Sequence, residues 1–330
     1  MTSAVDALAA GPLLGLPLPE LWFALVFAIL GTFLFLDGFD FGAGAIFATL
    51  REDEAREAVL PFWDGNEVWL VVFGGALFAA FPSVYAGLFS RHYLLMFGIL
   101  GALILRGLAP EMYEQRHDER WQRWWGRSFV AGSVLAPFLL GAFAGNWLVG
   151  TSRSFTVIGV VVGITVTALT VVSGAAFLRL KTRDALPKTV TRIGLWAVGA
   201  YLLAVVVTLG VLAVRLPAGV DALLSAPVLA LVAGSVALGV GYGVALRRGS
   251  NVLALTAAAG LTYGLITVVA ILMYPSIDPA AGLTVRGAIV STLPLNLMSI
   301  GAALLLPLIA TYFAVLYSAF SGPVTADEAY

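Results

Sequence analysis

Nine long runs of apolar residues follow one another along the chain, separated by short polar segments. Each run has roughly the 20 residues that an α-helix needs to cross the hydrocarbon core of a bilayer. The runs are continuous, whereas the strands of a membrane β-barrel alternate apolar and polar positions over about ten residues. The pattern therefore predicts an all-α integral membrane protein with about nine transmembrane helices. The predicted spans are Leu21–Leu50, Trp69–Phe89, Tyr93–Met112, Phe129–Val149, Phe155–Leu180, Ile193–Val214, Leu223–Leu246, Val252–Tyr274 and Leu293–Phe320.

The composition agrees with this pattern and excludes a separate soluble domain. Sixty per cent of the 330 residues are hydrophobic, only 11% are charged, and the mean hydropathy is +0.98. Soluble folds carry about 25% charged residues, so most of this surface has to face lipid. The net charge of −1 gives no basic surface for nucleic acid. We expect a single polytopic membrane domain over residues 1–330, with membrane lipid around it.

Positive charge is concentrated after the first, third, fifth and seventh predicted spans. These segments hold all but four of the 18 lysine and arginine residues. The exceptions are Arg91, Arg153, Arg215 and Arg286. Because positively charged loops remain in the cytoplasm, the N-terminus is predicted to lie outside and the C-terminus inside. The segment 179–192 is then cytoplasmic, and the Pro275–Thr292 loop lies outside.

The N-terminal residues, the absence of cysteine and the positions of the tryptophans add to this description. Residues Met1–Glu20 lack the positive region of a signal peptide, so we expect the N-terminus to be retained. The chain contains no cysteine, which excludes disulfides, iron–sulfur clusters and thiolate sites. Tryptophans near predicted span ends are interpreted as anchors at the membrane interface. They are Trp22, Trp121, Trp124, Trp125 and Trp147.

Two acidic residues, Asp37 and Asp40, interrupt the first span within the segment "LDGFDFGAG". An acid at the centre of a helix costs about 2.5–3.5 kcal/mol of insertion free energy. Such residues usually face a bundle interior or a water-filled cavity and mark ion paths, proton relays or ion-pair partners. A stripe of small residues on another face predicts close packing with a neighbouring helix. This stripe contains Gly31, Gly38, Gly42 and Ala45.

More polar residues are predicted at the same height on the next two spans. Asp64, Asn66 and Glu67 precede the second span in "FWDGNEVWL", and Asp64 and Glu67 are spaced to point to one side. Arg106 lies about 21 Å from the outer start of the third span, which is again the inner half. If the first three helices pack together, Arg106 can pair with one or more of these acids and with Asp37 and Asp40.

The predicted cluster has two interpretations. It can be a buried set of charges that fixes helix register. It can also be an inner half-channel for protons, because carboxyl groups in excess of the one arginine can stay protonated and exchange protons. Catalytic residues are not identified by either interpretation.

Histidine is nearly absent from the chain. His92 begins the third span on the outer side and His117 lies in an inner loop, so neither is placed as an axial haem ligand in the membrane centre. We expect no cofactor and no metal to be bound by this chain itself.

Several motifs together resemble subunit II of the cytochrome bd quinol oxidases. They are "LDGFDFGAG", "FWDGNEVWLVVFGGALFAAFPSVYAGLFS", "LILRGLAPEM", "GAFAGNWLVG" and "MYPSIDPAAG" with "LPLNLM". The resemblance covers the full chain and is most specific in the first 150 residues. It maps "DGFD" to Asp37 and Asp40, "WDGN" to Asp64 and Asn66, and an arginine of the third helix to Arg106.

The resemblance implies a respiratory heterodimer in a prokaryotic cell membrane. Subunit I would carry haems b and d and the quinol site, with a small accessory subunit as a further candidate partner, while this chain packs against subunit I. Protons for the reduction of oxygen to water would come from the cytoplasm. Nine helices in this family imply two four-helix bundles plus one peripheral helix.

Two other functions remain open at this point. A proton-coupled secondary transporter also needs membrane acids and helices broken by glycine. However, the predicted fifth to eighth spans contain no acid or base at the membrane centre. A scaffold subunit of the oxidase without a proton role is the third candidate.

Overall fold

The computed structural model describes residues 4–47, 49, 66–181, 187–215 and 220–319. Nearly all of these residues are helical, and the strands form one short antiparallel pair. The α-helices are α1 Ala4–Ala10, α2 Leu18–Phe47, α3 Val68–Ala80, α4 Pro82–Arg91, α5 Tyr93–Glu114, α6 Glu119–Leu148, α7 Val157–Lys181, α8 Pro187–Arg215, α9 Val220–Leu223, α10 Ala226–Arg248, α11 Asn251–Met273, α12 Val285–Ala288 and α13 Thr292–Ala319. Single 3-10 turns lie at Leu13–Gly15 and Pro279–Ala281, and the strands are β1 Ser276–Asp278 and β2 Leu283–Thr284.

Eight helices in the described part of the chain are long and apolar enough to cross a membrane. They are α2, α5, α6, α7, α8, α10, α11 and α13, and α3 is a shorter apolar helix. The chain is therefore an all-α integral membrane protein, as predicted. The prediction of one continuous second span, Trp69–Phe89, was wrong, because the helix breaks at Phe81 (φ −132°, ψ 62°). Pro82 begins α4 and has no N–H to donate to the preceding turn, so α3 cannot continue.

The eight long helices and the shorter α3 form two groups of four, with α13 at the edge. In the first group α6 packs on α5 and on α2, and α2 packs on α3. In the second group α7, α8, α10 and α11 pack in a closed ring. The groups meet where α2 and α6 contact α7. Helix α13 makes its main helix contact with α1, and its most apolar stretch is not buried within the chain. Two four-helix bundles and a peripheral helix are thus present.

Glycines allow the two bundles to approach closely at one level. A Cβ atom on Gly42 of α2 would clash with the carbonyl oxygen of Thr170 on α7, and Gly174 of α7 lies against Gly42 itself. This confirms that the small-residue stripe of the first span is a helix-packing face. Nearer the other end of the same helices, the bundles enclose an apolar cavity of about 650 Å³. The region around Gly42 is therefore the tightest part of the junction.

The segment Pro275–Thr292 folds into a compact cap over the end of the bundle that is predicted to be outside. Strands β1 and β2 form its hairpin. Asp278 forms an ion pair with Arg91 at the end of α4, with 2.5 Å between Oδ1 and Nη2. The Val290 amide donates to the carbonyl of Ala80. The predicted outer loop is thus tied to both halves of the broken second span.

Two of the tryptophans interpreted as interface anchors are instead buried within the protein. Trp147 is only 2% exposed, and its indole N–H donates to the carbonyl of Ile277 in the cap at 2.7 Å. Trp22 is also buried and donates to Ser299 Oγ on α13 at 2.9 Å. The indole group combines a large apolar surface with one donor, which suits both interior and interfacial positions. Trp124 is exposed at the opposite end, as expected for an anchor.

His92 is buried beneath this cap, between α4 and α5, with its ring edge-on to Phe143. Burial, together with the neighbouring Arg91, lowers the pKa of His92 below its ordinary value of 6.5, although Asp278 and the Thr151 backbone oppose the shift. The folded state then binds a proton less readily than the unfolded state. The stability that this site contributes is present above about pH 6.5 and is lost as the pH falls toward the folded pKa.

We therefore expect the thermal unfolding midpoint to be lower at pH 5.5 than at pH 7.5. His92→Gln should reduce this difference. Unfolding scans in detergent at both pH values measure the effect. His117→Gln, which changes the exposed histidine near the inner end of α5, is the matched control. An equal reduction in both variants would argue against the buried site as its source.

The orientation derived from charge can be tested on a chain that has no native cysteine. We expect Ala280→Cys, in the cap, to react with a membrane-impermeant maleimide added to intact cells. Gln115→Cys, at the end of α5, should react only after the cells are opened. Both positions are exposed, so the side of the membrane on which each lies decides the result. Reversed labelling would mean that the predicted topology is wrong.

Candidate functional site

Polar residues from three helices meet in the half of the first bundle that is predicted to face the cytoplasm. We call this group the inner charge cluster, and it contains Asp37, Asp40, Asn66, Glu67 and Arg106. Asp37 lies about 15 Å from the inner end of α2, and Arg106 about 12 Å from the inner end of α5. Asn66 and Glu67 immediately precede α3. Asn66 and Glu67 thus lie next to residues from the interiors of α2 and α5.

Arg106 is the centre of the cluster and is completely buried. Its Nη1 atom donates to Glu67 Oε1 at 2.5 Å and lies 3.2 Å from Asp37 Oδ1. The guanidinium carbon also lies 4.7 Å from the centre of the Phe41 ring, within range of a cation–π interaction. One cation on α5 therefore contacts a carboxylate and an aromatic face of α2, and a second carboxylate at the start of α3.

Asp40 has a different partner. Asn66 Nδ2 donates to Asp40 Oδ2 at 2.7 Å and is 3.4 Å from the carbonyl oxygen of Leu36. Both Asp40 and Asn66 are buried. An amide next to a carboxyl group can hydrogen-bond with it in either protonation state, because an amide offers both a donor and an acceptor. The Asp40–Asn66 pair is therefore compatible with gain and loss of a proton at Asp40.

Several buried polar atoms of the cluster have no hydrogen-bond partner among the described residues. They are both carboxyl oxygens of Asp37, Nε and Nη2 of Arg106, and the hydroxyl of Ser133 on α6. The contact of Asp37 with Arg106 is thus a close ion pair and not an aligned hydrogen bond. Most buried polar groups in folded proteins have hydrogen-bond partners, so each of these atoms calls for an explanation.

Glu67 connects the cluster with the surface. Its side chain is 43% exposed, whereas Asp37 and Arg106 are fully enclosed. The carboxyl group that binds Arg106 from inside is therefore also accessible from outside the chain. Asp64, which the sequence places three residues before Glu67, lies outside the described residues, and its predicted role stays a prediction.

Small residues on α6 make room for this arrangement. A Cβ atom on Gly132 would lie 2.7 Å from both the Arg106 amide nitrogen and the Ala102 carbonyl oxygen. Gly44 of α2 is in equally tight contact with Ser133. Helix α6 therefore packs closely on both α2 and α5, and the Arg106 side chain is completely buried between them and the start of α3.

The sequence prediction that Arg106 pairs with nearby acids is confirmed for Asp37 and Glu67. Asp40 lies in the same cluster, with Asn66 as its hydrogen-bond partner. Phe41 and Ser133 were not anticipated. Phe41 follows Asp40 directly, but an aromatic residue in an apolar run gives no signal of its own. Ser133 belongs to a run of small residues on α6 that predicts close packing and not a polar site.

The described residues provide no group of three or more His, Cys, Asp and Glu side chains that could hold a metal ion. His92 lies beneath the cap and His117 in the segment between α5 and α6, and neither residue is within a membrane-spanning helix.

Comparisons with known proteins agree with the fold. A chain named cytochrome bd ubiquinol oxidase subunit 2 from Bacillus subtilis is 37% identical over 182 residues, which are 50% of this chain and 54% of the relative. The cytochrome bd-I ubiquinol oxidase subunit 2 of Escherichia coli is 33% identical over 183 residues, 49% of this chain and 48% of that one. The aligned region thus spans about half the length of each relative.

A solved structure shares the architecture. A chain in the structure of bd oxidase from Geobacillus thermodenitrificans superposes with a TM-score of 0.75, covering 92% of this chain and 98% of that one at 17% sequence identity. At this identity the likeness shows the fold alone. The family model for cytochrome bd terminal oxidase subunit II matches residues 18–320, which include the inner charge cluster and both bundles. The chain therefore belongs to the cytochrome bd terminal oxidase subunit II family.

Proposed function

We propose that this chain is subunit II of a respiratory cytochrome bd-type quinol:oxygen oxidoreductase in a prokaryotic cell membrane. Membership of the family supports this proposal, as do two relatives whose names describe ubiquinol oxidase subunits. The chain packs against a haem-bearing subunit I. Helix α13 is a candidate for part of that contact, because its apolar surface is not covered within the chain.

In this proposal haems b and d belong to the partner subunit, and quinol is the substrate of the complex. The chemistry of the available donors supports this division. The chain has no cysteine, and its two histidines lie outside the membrane-spanning helices. The haems would supply electron transfer and oxygen reduction when bound to the partner. This chain would supply helix surfaces that pack against subunit I and the polar groups of the inner charge cluster.

The first test separates the two subunits. Expressed alone and purified in detergent, this chain is expected to bind less than one haem per molecule, with no Soret band at stoichiometric intensity. Co-expressed with its haem-bearing partner, it should purify as a complex with haem absorbance and quinol-dependent oxygen consumption. A full haem complement on the isolated chain would overturn the assignment of haem to the partner. A complex that lacks oxygen consumption would overturn the oxidase function.

The inner charge cluster has a role in this proposal as a route for proton uptake from the cytoplasm. The observation that carries this role is the charge balance of the site. The cluster contains three carboxyl groups, on Asp37, Asp40 and Glu67, but a single guanidinium, that of Arg106. Neutralising one carboxylate with Arg106 leaves two that are not matched by a cation among the described residues. Protons are the remaining way to neutralise them in an apolar environment.

The positions of the acids support an inward direction for the proposed proton transfer. Glu67 is half exposed, Asp37 is buried beyond it, and Arg106 contacts both. A proton that enters at Glu67 or Asp64 can pass inward to the buried acids. Asn66 connects the segment before α3 to Asp40 by a hydrogen bond. Subunit I would receive the proton from the far side of the cluster. A purely structural cluster in a scaffold subunit is the alternative, and the variants argued in the Discussion distinguish the two.

A further inference from the structure

A second polar site lies in the other bundle, at the end predicted to be cytoplasmic. An open pocket of about 690 Å³ is formed where α7, α8 and α10 end or begin. Four basic side chains line it, together with one tryptophan and a small apolar floor. The lining residues are Arg179, Lys188, Thr191, Arg192, Leu195, Trp196, Leu246 and Arg247. None of them belongs to the inner charge cluster.

The pocket is strongly cationic. In the sequence, the segments 179–192 and 247–248 contain seven basic residues, and Asp184 is their one acidic residue. Residue 184 lies in the stretch 182–186, which the structure does not describe. In the described ranges, the ion pairs involve none of Lys188, Arg192 and Arg247. The charges of these three residues are thus not balanced by an ion pair within the described part of the protein.

The walls of the pocket are held in place by packing. Asn251 at the start of α11 accepts from Arg179 Nε at 3.3 Å and donates to the Arg179 carbonyl at 2.6 Å, which fixes the end of α7. Gly194 brings α8 against α10, since a Cβ atom there would lie 2.8 Å from Leu246 Cδ1. The spacing of the basic side chains is therefore set by helices rather than by a loop.

The surface that continues from the pocket is apolar. Trp196 is 77% exposed at its edge, and Leu203 and Val207 follow on the same face of α8, 66% and 45% exposed. Tryptophan at such a position is typical of the boundary between headgroups and hydrocarbon. A ligand that fits both parts must have an anionic head and an apolar tail.

We propose that this pocket binds the headgroup of one anionic glycerophospholipid, of the diphosphate class to which cardiolipin belongs, with its acyl chains along Trp196, Leu203 and Val207. The three cations of Lys188, Arg192 and Arg247 exceed what a single phosphodiester needs, which favours a headgroup with two phosphates. Basic pockets between transmembrane helices on the cytoplasmic side are known to bind such headgroups. Arginine side chains can hold a phosphate through two parallel hydrogen bonds, as Arg192 and Arg247 can here. The site is independent of the proposed oxidase activity.

Native mass spectrometry of the delipidated complex tests this proposal. Tetraoleoyl cardiolipin, dioleoylphosphatidylglycerol and dioleoylphosphatidylcholine are titrated in turn. We expect one saturable cardiolipin site with at least tenfold higher affinity than for phosphatidylcholine, and intermediate affinity for phosphatidylglycerol. The double substitution Lys188→Gln and Arg192→Gln should weaken cardiolipin binding roughly tenfold or more, because each basic side chain near the membrane surface contributes measurably.

The matched control removes the same charge from the first bundle. Arg120→Gln with Arg127→Gln changes two exposed basic residues on α6, outside the pocket, and should leave cardiolipin binding within twofold of the wild type. Equal weakening in both double variants would overturn the proposal, since it would reflect net charge only. Wild-type affinity in the Lys188/Arg192 variant would also overturn it.

Two further experiments distinguish a bound lipid from other occupants of the pocket. Trp196→Ala should weaken cardiolipin binding, whereas a site for a soluble anion would not respond to it. Inorganic phosphate at millimolar concentration should fail to displace cardiolipin, and displacement would indicate that the pocket is a soluble-anion site. If the Lys188/Arg192 variant loses the partner subunit and the wild-type complex binds no lipid there, the occupant is a protein segment and the proposal is wrong.

Discussion

Arg106→Gln is expected to lower the free energy of unfolding by about 3–5 kcal/mol, which is the usual cost of removing one partner of a buried ion pair. Glutamine cannot neutralise Asp37 or Glu67, and Asp37 is fully enclosed. The cation–π contact with Phe41 is also lost. A thermal unfolding scan of the detergent-purified complex measures the change, and a lower yield of assembled complex should accompany it.

A second substitution tests the reason for this loss. Asp37→Asn in the Arg106→Gln background removes the stranded carboxylate, so the double variant should recover part of the lost stability. Arg120→Gln, an exposed arginine on α6, is the control and should unfold like the wild type. If Arg106→Gln unfolds at the wild-type midpoint, the guanidinium does not hold the cluster together.

Helix number and approximate position could be predicted from hydrophobicity because each span has to be apolar over its whole length in lipid. The first predicted span, Leu21–Leu50, differs from α2 by three residues at each end. The break within the second span could not be predicted from hydrophobicity, since both halves are apolar. Pro82 was the available signal, but a proline near a helix centre is compatible with either a kink or a break.

The contacts of the outer cap could not be predicted from the sequence, because they join residues that are far apart in the chain. Trp147 and Ile277 are separated by 130 positions, and Arg91 and Asp278 by 187. The residue types alone do not identify such partners, because a tryptophan or an arginine near a span end satisfies the rules for an interface anchor or a flanking charge equally well. Their burial depends on how the Pro275–Thr292 segment folds back, and its hairpin is too short to give a strand pattern.

The inner charge cluster was more predictable than the cap because charge inside a membrane is rare. Asp37, Asp40 and Arg106 stand out in apolar runs, and the depth of each follows from helical rise. Their pairing could not be derived in the same way. Whether Arg106 faces Asp37 or Asp40 depends on the rotation of α2, which Gly42 and Gly44 fix through their contacts with α7 and α6. Those partner helices are identified only in the folded structure.

Asp40→Asn is expected to lower quinol-dependent oxygen consumption by at least tenfold in a complex with normal haem absorbance. Asparagine has nearly the same shape and can still accept from Asn66 Nδ2, but it cannot release a proton. A positioned proton-transfer group typically contributes roughly 10²–10⁴ in rate, so loss of an essential one exceeds ordinary packing effects. Asp64→Asn, in the segment before α3, should give a similar loss if protons enter there.

The matched control is Asp221→Asn, which makes the same chemical change at an exposed aspartate of α9, far from the cluster in the chain, and should leave turnover unchanged. Haem content separates the remaining outcomes. Normal haem with undiminished turnover in Asp40→Asn would contradict proton transfer through this acid, because the substitution removes only its titration. Failure of the complex to assemble would instead support the scaffold role, since the Asp40–Asn66 contact would then be needed to hold α2 against α3. A decrease in turnover without loss of haem is the result that only proton transfer predicts.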